Sequence, residues 1–286
     1  MLISGRARLA GVMGWPIAHS LSPLLHGHWF ERHAIDGSYI PLPVVPADLD
    51  LLFQALPKAG FRGWNVTLPH KERAFALVDR LTPTAERIGA VNTVLVDTDG
   101  TLIGDNTDGH GFTANLDDQA PGWQERTQNV ILLGTGGAAR GVAAALYDRG
   151  LRNFRLINRT LERARLLESE LRRLGTLNLE IAPWKTRDEA LADGDLLVQC
   201  TSLGMEGHEP LALDVAALPP HAVVADLVYR PLETDLLARA RARNLRTVDG
   251  LGMLIHQAVP GFVHWGGQKP LIDATTRLLM RNALGV

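Results

Sequence analysis

Short unbroken apolar runs alternate along this chain with longer stretches in which apolar residues recur every three or four positions. The first kind reads as strands buried on both faces, the second as helices covering them. In the first third, residues 9–13, 39–45 and 61–66 are predicted strands. Residues 24–33 and 47–59 are predicted helices, the second with Leu49, Leu52, Phe53 and Leu56 on one face. Strand and helix in alternation imply parallel pairing. Ser22 followed by Pro23 reads as a helix N-cap and its first-turn proline. A further helix is expected after Lys71, running through Leu77 and Val78. Residues 91–96 and 101–104 flank Asp99-Gly100, a hairpin signal.

The same rhythm continues beyond residue 129. Strands are expected over 129–133, 154–157, 179–182, 196–199 and 223–227, with a short one near 247. Helices are expected over 140–149, 161–174, 186–191 and 232–243, and the tail is helical over 251–257 and 271–284. That tail is too short to hold a core of its own, so it should pack back on another part of the chain. Residues 109–129 are read as the crossing into a second domain.

Chemistry enters at the strand ends. The run Asn129–Leu133 leads directly into Gly134-Thr135-Gly136-Gly137-Ala138-Ala139 and then a helix. This is the G-x-G-x-x-A dinucleotide fingerprint in its strand-to-helix context. Gly134 permits the tight turn, Gly136 lets backbone approach a pyrophosphate, and Ala139 keeps helix close to strand. Backbone N–H groups and the positive helix end then face the phosphates. The bland alternative is a glycine-rich turn in an ordinary α/β sheet. About twenty residues past the glycines an acid would bind the ribose 2′-hydroxyl of NAD. Here stand Asn158-Arg159-Thr160, with Arg163 one turn on. A guanidinium offers a planar fork of donors to a phosphate, so the cofactor expected is NADP. Solvated charges on a helix face would look the same in so Arg-rich a chain.

Three further strand ends carry polar clusters. Ser20 and Ser22 precede a helix, where two hydroxyls suit a carboxylate, although capping alone would explain them. Asn65, Thr67 and Lys71 follow the third strand, at the edge where open α/β sheets place ligands. A lysine at a helix start opposes the macrodipole, a local conflict of the kind that marks sites. The hairpin is expected to bring Asn92 near Asp108.

Composition narrows the partners. The 286 residues are long enough for two domains, and the net charge of −2 gives no general attraction to nucleic acid or anionic membrane. A single cysteine, Cys200, excludes an intrachain disulfide and suits a reducing, cytoplasmic setting. No apolar run reaches the length of a membrane span, and residues 1–14 lack the apolar core of a signal peptide. The ten His are scattered, and no metal-ligand cluster is expected. Of the 29 basic residues only Lys58, Lys71, Lys185 and Lys269 are lysines. A composition bias explains that, and it makes a lysine at a candidate site worth notice.

Taken together these segments resemble the shikimate dehydrogenase family, nearly end to end. The resemblance is carried by His19-Ser-Leu-Ser-Pro23, Asn65-Val-Thr-Leu-Pro-His-Lys71, Gly89-Ala-Val-Asn-Thr93, Asn106-Thr-Asp-Gly109, Gly134-Thr-Gly-Gly-Ala138, Asn158-Arg-Thr160, Thr201-Ser-Leu-Gly-Met205 and Gln257-Ala258. It implies an α/β architecture. An N-terminal substrate domain over 1–109 would be completed by C-terminal helices from 250–286 packing back on it, with a Rossmann-type NADP domain over 110–249. It implies reversible, NADP-linked interconversion of shikimate and 3-dehydroshikimate in aromatic amino-acid biosynthesis, in a cleft between the domains.

By position the resemblance assigns Lys71 and Asp108 as the catalytic pair. It assigns Ser20, Ser22 and Tyr229 to the substrate carboxylate, and Asn65, Thr67, Asn92, Asp108 and Gln257 to its ring hydroxyls. It assigns Gly134, Thr135, Gly136, Gly137, Ala138, Asn158, Arg159, Thr160 and Arg163 to the cofactor, with Leu227 and Gly250 more loosely. The chemistry is coherent. The cofactor exchanges hydride, and an amine can release and regain a proton where a guanidinium cannot. Departures from the family pattern are Gly27 after His26, Thr135 in the glycine turn, and Gln199-Cys200 before Thr201. The last would alter packing or affinity on the nicotinamide side, and Cys200 reads as a small buried filler.

Two other readings compete. A quinate/shikimate dehydrogenase using NAD needs an acid near position 158, which is absent. A catalytically silent NADP-binding regulator is disfavoured by the presence of both Lys71 and Asp108. The sequence leaves the oligomeric state open, a homodimer included.

Overall fold

A computed structural model describes residues 3–286. Met1 and Leu2, with which the reading of residues 1–14 begins, lie outside them. The described chain divides into two units, one ending at Thr107 and resumed at Gln257–Val286, the other spanning Asp108–His256.

The first unit opens with β1 (Arg8–Gly14), α1 (Ser22–Arg32), β2 (Gly37–Pro43), α2 (Leu49–Lys58) and β3 (Phe61–Val66). It continues through α3 (Lys71–Phe75), β4 (Arg80–Leu81), α4 (Pro83–Ile88), β5 (Thr93–Val96) and β6 (Leu102–Asp105). The six strands form one sheet in the order β2-β1-β3-β5-β6-β4. β1 pairs parallel with β2 and β3, while β5 runs antiparallel to both β3 and β6. The expected hairpin is present, with Gly100 at φ 87° in its turn. Because β5 is reversed, its first residues lie at the edge where β1 and β3 end.

The second unit holds α5 (Asp108–Gln119), α6 (Trp123–Arg126), β7 (Asn129–Leu133), α7 (Gly137–Asp148), β8 (Asn153–Asn158), α8 (Leu161–Leu171) and β9 (Asn178–Pro183). β10 (Leu196–Gln199), β11 (Val223–Asp226), α9 (Asp235–Ala242) and β12 (Arg246–Val248) complete its sheet. The order is β12-β11-β10-β7-β8-β9, parallel throughout. That is the doubly wound arrangement of a dinucleotide fold, with its topological switch between β7 and β10. Ile131, Leu132, Leu156, Leu197, Val198 and Val224 are fully buried, as unbroken apolar strands covered on both faces require.

α10 (Gly250–Gly266) begins in the second unit and ends in the first, and α11 (Ala274–Asn282) follows. Within the first unit Phe262 packs edge-on against Trp29 at 5.3 Å, and Trp265 has no exposed surface. Arg32 pairs with Asp273 at 2.6 Å, beside α11. The C-terminal helices therefore do pack back on the first unit. Truncating either buried aromatic to Ala would cost about 3–5 kcal/mol.

Some local expectations are corrected. Ser22 is the first helical residue rather than the N-cap; Leu21 holds that place and no side chain caps it. The Ser22 N–H goes to Ser20 Oγ at 3.3 Å. The helix from Lys71 stops at Phe75, so Leu77 and Val78 pack from a turn. Residues 186–191 form no α-helix but two 3-10 turns over Trp184–Thr186 and Glu189–Leu191. α5 falls where only a crossing is expected from the pattern. Its apolar face is short, Phe112 and Leu116, and its first turn packs by close approach: a Cβ on Gly109 would meet the Gly141 carbonyl of α7 at 2.7 Å.

Candidate active site

In the first unit the polar residues picked from the sequence stand along one edge of the sheet. The ends of β1, β3 and β6 and the start of β5 deliver them there. Thr67 N–H donates to the Met13 carbonyl at 2.9 Å and Trp15 N–H to the Leu68 carbonyl at 3.1 Å, which pins the loops after β1 and β3 together. Ser20 is half-buried and Ser22 buried, both on the first of these loops or at its end. Thr67 and Lys71 are half-buried, and the Lys71 carbonyl accepts from Val91 N–H at 2.9 Å. His70 before it is buried, and its Nε2 donates to the Val44 carbonyl at 2.7 Å.

A continuous hydrogen-bond network joins several of these residues. Asn65 Nδ2 donates to the Asn92 carbonyl at 3.2 Å and to Thr93 Oγ1 at 3.0 Å. Its Oδ1 accepts from the Tyr39 hydroxyl at 2.6 Å. Asn92 Oδ1 accepts from Thr93 Oγ1 and from Thr107 N–H, each at 2.9 Å, and Asn92 Nδ2 donates to Thr107 Oγ1 at 3.1 Å. Thr107 Oγ1 in turn donates to the Gln257 carbonyl at 2.8 Å. So Asn65, Asn92 and the Gln257 backbone are brought together through residues the sequence reading passed over: Tyr39, Thr93 and Thr107. All but Gln257 are buried, and a buried network of this kind is rigid only because each member is satisfied.

In the second unit the glycine turn stands at the switch point. Gly134 has φ 96°, in the left-handed region, and a Cβ there would meet Thr201 Cγ2 at 2.6 Å. Gly136 sits at the N-cap of α7 in extended conformation with no capping side chain, and no acid occupies the first turn. The space beside Gly136 and Gly137 is open. Free N–H groups, an uncapped helix start and open space over the glycines fit a dinucleotide pyrophosphate. Ala139 is fully buried against the strand, as expected. The Thr135 Oγ is enclosed without a hydrogen-bond partner.

Asn158 ends β8, and its Nδ2 donates to the Thr160 carbonyl at 2.9 Å, folding the segment into a tight bend. Arg159, Thr160 and Arg163 are exposed beyond it. Asp108 is half-buried at the start of α5. Leu227 and Gly250 adjoin: a Cβ on Gly250 would lie 2.4 Å from the Leu227 carbonyl, so only glycine admits this approach. Tyr229 is half-buried, and burial raises its phenol above the ordinary range.

Two residues not assigned to the site from the sequence hold the loops after β10 and β11. Gln199 is fully buried. Its Oε1 accepts from Thr201 N–H at 2.8 Å and from Thr201 Oγ1 at 2.9 Å, while Nε2 donates to the Leu203 carbonyl at 2.9 Å. The longer amide therefore fixes the loop from within, which is what this departure from the family pattern does. Asp226 Oδ1 accepts from Val228 N–H at 2.9 Å and Oδ2 from Thr234 Oγ1 at 2.7 Å. Burial nevertheless pushes its carboxyl up to about 6. A carboxylate closing an apolar strand was the sequence signal for it. Burial, with Asp226 nearby, pushes the Cys200 thiol up, consistent with an inert filler. Among the described residues no group of His, Cys, Asp and Glu could hold a metal, and no helix is long and apolar enough to cross a membrane.

Comparison with known proteins matches two family profiles. Residues 12–94 match the shikimate dehydrogenase substrate binding domain, and residues 118–206 match shikimate / quinate 5-dehydrogenase. A relative from Rhodospirillum rubrum, named shikimate dehydrogenase (NADP(+)), is 51% identical over 96% of this chain and 98% of its own. The solved shikimate 5-dehydrogenase of Thermus thermophilus, in complex with NADP(H) and shikimate, superposes with a TM-score of 0.84 at 37% identity, covering 96% of this chain and 99% of that one. A quinate dehydrogenase from Corynebacterium glutamicum in complex with NAD superposes at 0.89 with 30% identity, covering 98% and 99%.

Proposed function

The chain belongs to the shikimate dehydrogenase family, and we propose on that basis that it reduces 3-dehydroshikimate to shikimate, reversibly, with NADPH. The reaction is a step in chorismate and aromatic amino-acid biosynthesis. The observation that carries it is near-full-length identity of about half to relatives named for that activity and that cofactor.

The residue roles are part of the same reading. The Gly134–Ala138 turn would hold the pyrophosphate by backbone N–H groups, and Asn158, Arg159, Thr160 and Arg163 the adenosine ribose and its 2′-phosphate. Leu227 and Gly250 would border the nicotinamide. Bound there, the cofactor supplies the hydride. Ser20, Ser22 and Tyr229 would donate to the substrate carboxylate, and Asn65, Thr67, Asn92 and Gln257 would orient the ring through its hydroxyls. Lys71 and Asp108 would share the proton that goes to the carbonyl oxygen as it becomes a hydroxyl. Two such groups titrate as a unit, so the proton belongs to the pair. Support for Lys71 is its position at the same strand edge as the Asn65–Asn92 network.

Arg159 favours NADP over the NAD of the quinate dehydrogenase, since no acid stands at the end of β8 to take a ribose hydroxyl. The reading carries a cytoplasmic location, supported by the lone cysteine, and a homodimer as the assembly, which sedimentation reads directly. A steady-state assay crossing shikimate and quinate with NADP and NAD tests the whole. The expected result is kcat/KM highest by far for shikimate with NADP. Preference for quinate or for NAD would overturn it.

A further inference from the structure

Gln199 ends β10 at the edge of the second sheet where the glycine turn stands. In the ladder it lies level with Leu133, the last residue before that turn, on one side and with Asp226 on the other. Its carbonyl accepts from Leu227 N–H at 3.1 Å, and the next N–H, of Cys200, donates to the Leu133 carbonyl at 2.8 Å. The end of β10 thus ties the strand that feeds the glycine turn to the segment that carries Leu227. Nothing lies within 4 Å of a Cβ built on Gly136 or Gly137, so the turn past Gly134 has no packing of its own on that side. What holds it must act at Gly134.

A side-chain amide has two lone pairs and two hydrogens. Those of Gln199 are all engaged. Oε1 accepts from Thr201 N–H and from Thr201 Oγ1, and Nε2 donates to the Leu203 carbonyl at 2.9 Å and to the Thr201 carbonyl at 3.3 Å. Residues 201–203 are therefore wrapped on one buried amide. The Thr201 hydroxyl gives its hydrogen to Gln199 and accepts from Leu203 N–H at 3.1 Å, so it has no hydrogen left for a phosphate. With its hydroxyl fixed, its methyl is fixed too, and the methyl lies on Gly134: a Cβ there would meet Thr201 Cγ2 at 2.6 Å. Gly134 N–H is taken by the Ile157 carbonyl at 2.8 Å. The first glycine is held by one bond to β8 and by the Thr201 methyl.

We propose that Gln199 is a positioning residue for the cofactor: its amide presses the Thr201 methyl onto Gly134 and so fixes the pyrophosphate turn, while its carbonyl holds Leu227 in place. This rests on the reading that Gly134–Ala138 and Leu227 receive NADP. Affinity for the dinucleotide then depends on a side chain that has no exposed surface and acts only through Thr201. The substrate groups of the first unit are untouched by it.

The test uses Gln199→Met, which keeps the side-chain volume and removes the amide, and Thr201→Ser, which keeps the hydroxyl and removes the methyl, each in the full chain. NADPH affinity is read by titrating its own fluorescence, and shikimate affinity by tryptophan fluorescence without cofactor, alongside steady-state kinetics. Gln199→Met should raise the NADPH Kd and the NADP KM about tenfold, the scale of a lost buried hydrogen bond. kcat should fall less than about threefold, and the shikimate Kd should not move. Thr201→Ser should raise the NADPH Kd about threefold, the scale of one methyl contact. The double variant should bind no worse than Gln199→Met alone, since both changes act through the same methyl. Thr201→Ser leaves the amide in place, so it decides the matter if Gln199→Met folds poorly. An NADPH Kd unchanged in Thr201→Ser, or equal losses for NADPH and shikimate in Gln199→Met, overturns the inference and leaves the functional reading intact. A wild-type protein that does not bind NADPH overturns both.

Discussion

The polar edge of the first unit and the glycine turn of the second are built on opposite plans. The first is a web of side chains: Tyr39, Asn65, Thr93, Asn92 and Thr107 hold one another, mostly out of water, before any ligand is considered. The second is main chain: an uncapped helix start and open glycines, with the arginines standing exposed beyond. The difference is what the proposed ligands would require. A small rigid ring with several hydroxyls is told from its isomers only by donors and acceptors at fixed points, and buried side chains bonded to each other give that. A pyrophosphate needs charge complementarity and close approach, which backbone N–H groups supply without side chains.

Four measurements sharpen or break this contrast. Lys71→Ala should lower kcat by about a thousandfold, the scale of lost general acid–base catalysis, with shikimate Kd nearly unchanged; unchanged turnover would remove the amine from the chemistry. Asn92→Ala should destabilise the protein by about 3 kcal/mol in denaturant titration, because Thr93 and Thr107 lose their buried partner. A loss under about 0.5 kcal/mol would mean the web is decoration.

Asp226 is a buried carboxylate of the second unit whose effect has a definite sign. Its folded pKa is about 6 against 3.8 in the unfolded chain, so folding takes up a proton between those values. The stability this gives is complete below about pH 4 and lost as pH rises through 6, by about 3 kcal/mol at most. Melts from pH 4 to 7 should show that slope in the wild type and not in Asp226→Asn. Smallest is Arg159→Ala, expected to raise KM for NADP about tenfold and that for NAD hardly at all. An equal effect on both would detach Arg159 from the 2′-phosphate.

What the sequence reveals follows the same division. The glycine turn was legible because main-chain recognition forces residue identity: Gly134 needs its positive φ. The sequence places β3 to the residue, since Phe61, Trp64 and Val66 anchor a short strand between helix and polar turn. α5 escapes the pattern because only Phe112 and Leu116 stand out among its polar and small residues, and its first turn packs by glycine contact. The pattern extends α3 too far because Leu77 and Val78 have helical spacing, while they pack on the core from a turn. Asn65 and Asn92 stand out at a strand end and a hairpin, and the resemblance gives them roles, but Tyr39 and Thr107 receive none. Nothing in a tyrosine on an edge strand says that its hydroxyl will bond an asparagine at the end of β3.

The return of the chain at Gln257 has a consequence for how the protein is made. A ribosome that has delivered residues up to Thr107 has delivered a core still lacking Phe262 and Trp265, whose rings close over Trp29 and His26. The segment Asp108–His256 meanwhile carries every strand of its own sheet. Synthesis order and folding order are thus reversed: the later half can mature as it emerges, and the earlier half must wait, exposed, for the last stretch to be translated.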